Sequence, residues 1–546
     1  MKDAFRQSMA WLHTWVGLVA GWILFFVFVT GTAGYFQLEI GQWMQPERSV
    51  TAAPANADRT RLTELAMQRL EQVAPAAASW NVTFPYIRPG EREWMNFSIR
   101  WEEMPKSGHE YGAGGSEQLD TRTGAILPPD VEPRETAGGR GLYRMHYSLH
   151  YLPYQWAYRI VGIATMLMLV AIISGIITHK KIFKDFFTFR PGKGQRSWLD
   201  AHNAVSVMAL PFFLMITYSG LLFFLFTYMP AGKAVLYGTD EESGRAFYDE
   251  LYEGGAHRHA PIARPSAPMA PMLAQAAALW GADQIASVTI ERMEGEPPQV
   301  IVSHVPVGLK LYDAAKLRFH ADSGARLPDE PDPSGAPGAT QTVMLNLHEG
   351  VYADYWGRWV YFASGLLGCG MIGTGLVLWT VKRRRFHLAS GQDAREDAGV
   401  RLVEALNVAT IAGLPLAIAG FFWANRLLPI GMMDRADWEY HSLFALWLGA
   451  FFYALARPLR RAWIELLWAT CAAFALIPLL NGLTTGRHLF AAIGQGDWVF
   501  AGFDLTMLGL AACFAITARK AAKRLDAGSK APSSPARQPI LGEAQA

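Results

Sequence analysis

Cysteine is scarce in this chain, and so are the loops that bind nucleotides. Only three cysteines occur among 546 residues, and Cys369, Cys471 and Cys513 all lie inside long apolar segments. This distribution excludes a disulfide framework and a CxxC metal knuckle. The sequence contains no Walker A motif, and its basic loops carry no GxGxxG unit between a strand and a helix. The chain therefore cannot use ATP or collect a hydride by itself.

Charged residues are few as well. They make up 18% of the chain and give a formal net charge of +2, whereas 51% of the residues are hydrophobic. This composition is too apolar for a soluble protein of this length, and the charge balance gives no support for nucleic-acid binding. Eight apolar stretches are long enough to cross a bilayer, at about 10–36, 155–178, 204–228, 358–381, 402–424, 440–456, 462–480 and 499–518.

Basic residues are unevenly distributed over the loops between these spans. They cluster before span one and after spans two, four, six and eight, whereas the short loops on the other side hold only Arg426, Arg435 and Arg487. By the positive-inside rule both termini are cytoplasmic, and 37–150 and 229–350 lie outside. We therefore expect a multi-pass protein of the bacterial inner membrane with two periplasmic segments. Span one is too long for a signal peptide and lacks a good cleavage site, so we expect it to be retained.

The first two-thirds of the chain contain an internal duplication. Each half has a span, an outer segment with a helical pattern followed by β-rich runs, and a second span. The predicted fold class is a polytopic α-helical membrane protein with two periplasmic α+β modules. The predicted domains are transmembrane helix 1 at 1–36, the first module at 37–150, helices 2 and 3 with their cytoplasmic loop at 151–228, the second module at 229–350, helix 4 at 351–390, an appended four-helix block at 391–525 and a disordered cytoplasmic tail at 526–546.

Four histidines occupy matching places in the two halves. His13 and His202 each open an apolar run, and His150 and His348 each stand before another. These four runs contain Thr-Gly or Ser-Gly dipeptides, at 30–31, 174–175, 219–220 and 374–375. Polar side chains in a bilayer usually face the bundle, so the duplication predicts two pairs. His13 faces His202 near the cytoplasm, and His150 faces His348 near the outer surface.

Imidazoles at both ends of a helical bundle are typical ligands of haem b, and the pattern predicts two bis-histidine haems with an electron path between them. His146, one turn before His150, and His179, at the end of span two, are alternative ligands. A direct metal site stays open, although nearby carboxylates or thiolates of a closed zinc site are missing. Interfacial placement is the competing interpretation for any single histidine.

Two arginines also match between the halves. Arg159 and Arg358 follow His150 and His348 at the start of the next apolar run. An arginine near a haem is a suitable partner for a propionate, because guanidinium groups favour carboxylates. Extension of both side chains toward the membrane interface is an equally good explanation.

Several motifs carry a resemblance to a known family. The order and spacing of these motifs are similar to those of PepSY-associated transmembrane proteins. The motifs are LHTWVG at 12–17, RSWLDAHN at 196–203, TGLVLW at 374–379 and the Leu-His pairs at 149–150 and 347–348. The resemblance covers about residues 1–390. Members include ferrioxamine-type siderophore reductases of the inner membrane, which carry haem between their helices, and iron-regulated membrane proteins. The resemblance implies PepSY modules, haem and an iron function, while the spans after residue 400 depart from the four-span core of the family.

The leading functional hypothesis is an oxidoreductase that conducts electrons across the membrane. A cytoplasmic donor (a reduced flavin, a soluble reductase or a quinol) would supply the electron, and a periplasmic ferric siderophore or other ferric chelate would receive it. The first alternative is a non-redox, membrane-anchored interaction protein. A transporter is a weaker alternative, because Glu465 and Asp504 are the only acidic residues expected within or near the last two spans.

Overall fold

The chain forms two compact units, Met1–Lys382 and Arg383–Ala546, in a computed structural model. Their structure is described for residues 2–47, 58–87, 94–104, 113–127, 133–179, 190, 192, 194–240, 243, 247, 260–306, 315–329, 335–389 and 397–529. The predicted tail at 526–546 lies outside this range from residue 530 onward.

Helices dominate both units. The helices that begin in the first unit are α1 (Lys2–Gly34), α2 (Gln37–Met44), α3 (Arg59–Val73), α4 (Gly138–Ser148), α5 (Tyr154–Thr178), α6 (Gln195–Met208), α7 (Leu210–Phe223), α8 (Leu225–Tyr228), α9 (Ala231–Leu236), α10 (Met269–Trp280), α11 (Gly335–Glu349) and α12 (Tyr355–Ala389). The second unit contains α13 (Ala398–Val408), α14 (Leu414–Leu427), α15 (Arg435–Ala456), α16 (Leu459–Thr485), α17 (Leu489–Gly494) and α18 (Trp498–Ser529).

Among the described residues, six helical segments are long and apolar enough to cross a membrane, which confirms a multi-pass membrane protein. They are Ala4–Gly34, Tyr154–Thr178, Tyr355–His387, Ala398–Leu427, Leu459–Thr485 and Trp498–Lys523. The α6–α7 pair makes a seventh if its 67° bend lies within one span. Pro211 in the first turn of α7 accounts for this break, because proline cannot continue a helix without losing a backbone hydrogen bond. The predicted count of eight stays a prediction, since α15 is not among these segments.

The segments that follow the first long helix of each half share one antiparallel sheet. Its strands are β1 (Ala77–Thr83), β4 (Ser98–Glu103), β5 (Gly114–Gln118), β6 (Ile285–Glu291), β7 (Gln299–His304) and β8 (Lys316–His320), in the order β5-β4-β1-β6-β7-β8. A separate pair is formed by β2 (Tyr86–Ile87) and β3 (Trp94–Met95). The pairing of β1 with β6 joins the halves, and Asn81 donates a hydrogen bond to Thr289 across this seam at 2.9 Å.

Each half contributes three strands to this six-stranded sheet and one helix to the core beneath it. Alternate residues of β1 and β6, such as Trp80 and Val288, are buried in a core that also contains α3 and α10. The last strand of each half is followed by the same kind of turn, in which Gly124 and Gly324 have φ of +71°. Glycine adopts this left-handed conformation without steric cost, so the duplication extends to the turns.

Close helix packing in the first unit depends on small residues. A Cβ added to Gly365 of α12 would lie 2.2 Å from the Thr32 hydroxyl of α1, and one added to Gly368 would lie 2.2 Å from the Phe28 ring. Helix α4 packs beside α1, and α11 packs beside α7. These contacts bring the short helices α4 and α11 against longer apolar helices.

The second unit encloses a polar network. Its members are Asn425, Arg426, Arg435, Glu439, Asn481 and Asp504, all 5% exposed or less. Glu439 accepts hydrogen bonds from Arg435 at 2.8 Å and from Asn425 at 2.7 Å, and Asn481 donates to Asp504 at 3.2 Å. The expectation that Arg426 and Arg435 lie in short loops is therefore wrong, because α14 extends to Leu427 and α15 begins at Arg435.

Candidate functional site

Two histidines from different halves face each other at one end of the first unit. His13 lies in α1 and His202 in α6, and their ring centroids are 6.2 Å apart. The structure thus brings together the two residues that the duplication pairs near the cytoplasmic side.

A second facing pair lies at the other end of α1. It consists of His146 in α4 and His348 in α11, with ring centroids 6.0 Å apart. His150 does not take part, although the matching LH dipeptides favour it. Helix α4 ends at Ser148 because Leu149 adopts a left-handed conformation with φ of 45°, so His150 lies beyond the helix, where its ring contacts Tyr151.

Each of the four paired histidines packs against a glycine of a neighbouring helix. A Cβ added to Gly175 would lie 3.1 Å from the His13 ring, and one added to Gly375 would lie 3.2 Å from the His202 ring. At the other end the corresponding distances are 2.5 Å from Gly31 to His146 and 2.8 Å from Gly220 to His348. These are the glycines of the four Thr-Gly and Ser-Gly dipeptides. Their missing side chains make room for the imidazoles.

The helix that supplies the glycine also supplies a hydrogen-bond partner for the histidine Nδ1. Nδ1 of His13 lies 2.8 Å from the Ala171 carbonyl oxygen, that of His146 2.7 Å from Val27, and that of His202 3.0 Å from Met371. Each carbonyl belongs to the residue four positions before the glycine. A carbonyl oxygen only accepts, so Nδ1 carries the proton, and Nε2 keeps the lone pair that a metal ion requires.

His348 follows the same arrangement, and a hydroxyl of the glycine-bearing helix also lies close to Nδ1 in both His348 and His202. His348 hydrogen-bonds the backbone of Ile216, four residues before Gly220, and its Nδ1 lies 3.2 Å from the Ser219 hydroxyl. The fourfold repetition of a glycine contact and a bound Nδ1 sets these histidines apart from interfacial polar residues. Such hydrogen bonds fix the orientation of the ring and its tautomer.

The separation within each pair suits a metal ion held between two imidazoles. A metal ion between two imidazoles forms one metal–nitrogen bond of about 2 Å to each ring. When the distance from each nitrogen to the centre of its own ring is added, the two ring centroids lie about 6 Å apart. Among the described residues, no group of three or more histidine, cysteine, aspartate or glutamate side chains is arranged to hold a metal ion. Each pair offers two imidazole nitrogens, the number of protein ligands that a bis-histidine haem iron takes.

A cavity of about 340 Å³ adjoins the His146–His348 pair. Mostly apolar side chains of α1, α5 and α7 line it, together with Gly31 and Gly220, as is usual for cofactor sites. Tyr35, just beyond the end of α1, is part of this lining. Burial, with Tyr352 and Glu349 nearby, raises the pKa of the Tyr35 phenol, which therefore stays protonated.

A family model described as the PepSY-associated TM region matches residues 10–382, well over half of the chain. The chain belongs to this family. The match confirms the family suggested by the motifs and includes all four paired histidines and their glycines. A search of curated proteins gave no match. The PepSY-associated region therefore contains the complete candidate site, and three of the six candidate membrane helices in the described part of the chain begin after it.

The remaining predicted site residues of this PepSY-associated protein lie in different surroundings. Arg358 lines the cavity, but its charge is already paired with Glu39 of α2 at 2.7 Å. Arg159 is exposed and lies over the Trp156 ring, 5.5 Å from its centroid, in keeping with an interfacial position. His179 directly follows α5, one turn beyond the glycine that contacts His13.

Two interactions near the histidines were not predicted. Asp200, two residues before His202, is 5% exposed and accepts hydrogen bonds at 2.9 Å from the guanidinium of Arg190, which anchors the start of α6. At the other end, Tyr143 of α4 donates to Glu349 of α11 at 2.9 Å. The acidic residues beside His202 and His348 are visible in the sequence, but their partners become evident only in the fold.

Proposed function

We propose that this protein is an inner-membrane oxidoreductase that binds two b-type haems and passes electrons to a ferric chelate, of the siderophore class, in the periplasm. His13 and His202 hold one haem, and His146 and His348 hold the other. Bound haem supplies an iron atom that changes reversibly between the ferric and ferrous states. The observation that carries the proposal is the fourfold repetition of an Nδ1-bound histidine in a glycine contact, arranged as two facing pairs.

The distance between the pairs supports a path across most of the membrane. The Val27 carbonyl accepts the hydrogen bond of His146. Val27 lies 14 residues after His13 in α1, which corresponds to about 21 Å along the helix axis. Phe28 and the fully buried Phe213 pack edge to face between the helices, with ring centroids 6.4 Å apart.

The orientation follows from the basic loops. The His13 end faces the cytoplasm, where a reduced flavin, a reductase or a quinol supplies electrons, and the His146 end faces the periplasm. The six-stranded sheet then lies on the periplasmic side, and its two halves are PepSY modules. With α15 and the bent α6–α7 pair counted as spans, the protein crosses the membrane eight times, with both termini in the cytoplasm.

Reduction explains how such a protein releases iron. A ferric chelate with hard oxygen ligands accepts one electron, and the resulting ferrous ion is held more weakly by those ligands. The exchange consumes one electron per iron atom and needs no hydride, in agreement with the missing nucleotide-binding loops. The His146–His348 end is the point of exit because it adjoins the outer segments.

The proposal is tested in liposomes that contain the purified protein, with dithionite enclosed and a ferric hydroxamate chelate outside. A chromogenic ferrous chelator outside reports the product. We expect wild type and His150→Ala to reduce the chelate, and His13→Ala or His348→Ala to lose the activity. Equal activity in all four proteins contradicts the proposal. Colourless purified protein favours the non-redox interaction protein instead.

A further inference from the structure

A carboxylate lies beside the outer histidine pair. Glu349 is the last residue of α11 and directly follows His348, and Tyr143 of α4 lies one turn before His146. The Tyr143 hydroxyl donates to Glu349 Oε1 at 2.9 Å. All four side chains line the same cavity, so the carboxylate shares the low-dielectric surroundings of the two imidazoles.

Arg358, which also lines this cavity, is paired with a carboxylate. Arg358 and Glu39 form a buried ion pair at 2.7 Å, with side chains 7% and 11% exposed. Arg358 also donates to the Tyr35 carbonyl at 3.2 Å, which holds the pair in place.

We propose that Glu349 lowers the reduction potential of the outer haem and that Tyr143 is a positioning residue for its carboxylate. The inference rests on the proposed function, in which His146 and His348 hold that haem. Ferric haem carries one more positive charge than ferrous haem, so a nearby carboxylate stabilises the ferric form. A lower potential at this site would favour transfer of the electron to the chelate.

The same hydrogen bond also connects the two helices that carry the histidines, so the electrostatic role must be separated from a clamping role. Glu349→Gln removes the charge, while the amide oxygen still accepts from Tyr143. Tyr143→Phe removes the hydrogen bond but keeps the charge. An electrostatic role predicts a large effect of the first change and a small effect of the second, whereas a clamp predicts the opposite.

The experiment is a redox titration of the full chain, followed by its visible spectrum, in a His13→Ala/His202→Ala background that leaves only the outer haem. At a fixed applied potential we expect Glu349→Gln to raise the ratio of reduced to oxidised haem about tenfold. Tyr143→Phe should change this ratio less than about threefold. Glu349→Asp, which keeps the charge, should stay close to the parent protein.

Glu117→Gln is the matched control, because this carboxylate pairs with Arg69 at the edge of the sheet, away from the cavity. We expect no change in the ratio for this variant. The inference is overturned if the variants keep their haem and Glu349→Gln leaves the ratio of reduced to oxidised haem unchanged. It is also overturned if Tyr143→Phe changes this ratio as much as Glu349→Gln does. Either result leaves the proposed function standing. Absence of haem from the parent protein overturns both.

Discussion

At the scale of single residues, the sequence predicts which residue types form the site but not every partner. His13, His202 and His348 face a second histidine, as the duplication suggests. His150 does not, because the end of α4 is set by the backbone of Leu149, and no sequence pattern marks leucine as left-handed. The four glycines are visible at matching positions, yet their contact with the histidines appears only once the helices pack.

The glycine contacts give a sharp test of this arrangement. Gly31→Ala places a Cβ 2.5 Å from Nδ1 of His146, so the imidazole must move away from the Val27 carbonyl. We expect loss of the outer haem with the inner haem retained, measured as haem per protein. The control is Gly17→Ala in the same helix, because no atom lies within 4 Å of the added Cβ. This variant should bind as much haem as wild type.

The Arg358–Glu39 ion pair predicts an effect on stability. Arg358→Met leaves the Glu39 carboxylate buried without its cation, which lowers the free energy of unfolding by about 3 kcal/mol or more. Arg264→Ala breaks ion pairs whose side chains are 37% to 43% exposed, and should cost less than about 1 kcal/mol. Denaturant titration in detergent measures both. Equal losses contradict the difference in burial.

At the scale of elements, the helix-plus-strands plan of each half is predictable, whereas their union is not. Alternation in β1 and β6 indicates strands with one buried face, for example at Trp80, Val82 and Val288. Which strand pairs with which depends on register between segments far apart in sequence. The seam between β1 and β6 is therefore a finding of the structure.

A cross-strand disulfide tests the seam. Asn81 and Thr289 are directly opposed, and antiparallel partners have Cα atoms about 5 Å apart, a distance that a disulfide spans. We expect Asn81→Cys/Thr289→Cys to form a disulfide under oxidising conditions, detected by mass spectrometry of proteolytic peptides. Asn81→Cys/Ile301→Cys places the second cysteine one strand farther, about 10 Å away, and should stay reduced. Equal cross-linking of both pairs contradicts the register.

At the scale of the whole molecule, the division into units coincides with the family match. Both the first unit and the matched region end at residue 382. The appended block is predictable as apolar helices, but its buried network is not. The predicted span ends place Arg426 and Arg435 in loops, and only the observed helix ends bring them beside Glu439 and Asn481.

The location of the site predicts that the appended block is dispensable for haem binding. A chain of residues 1–392 retains the four histidines, their glycines and the cavity, all of which lie within residues 1–382. We expect this shortened chain to insert into membranes and to bind two haems per protein. A membrane-inserted product with fewer than two haems contradicts the prediction.

The most direct test of the central claim is the number of b-type haems per chain, from the pyridine haemochrome spectrum of purified protein. We expect two haems in wild type and in His150→Ala, one in His13→Ala/His202→Ala, and one in His146→Ala/His348→Ala. Folded wild-type protein without haem, or full haem content in either paired variant, contradicts the account.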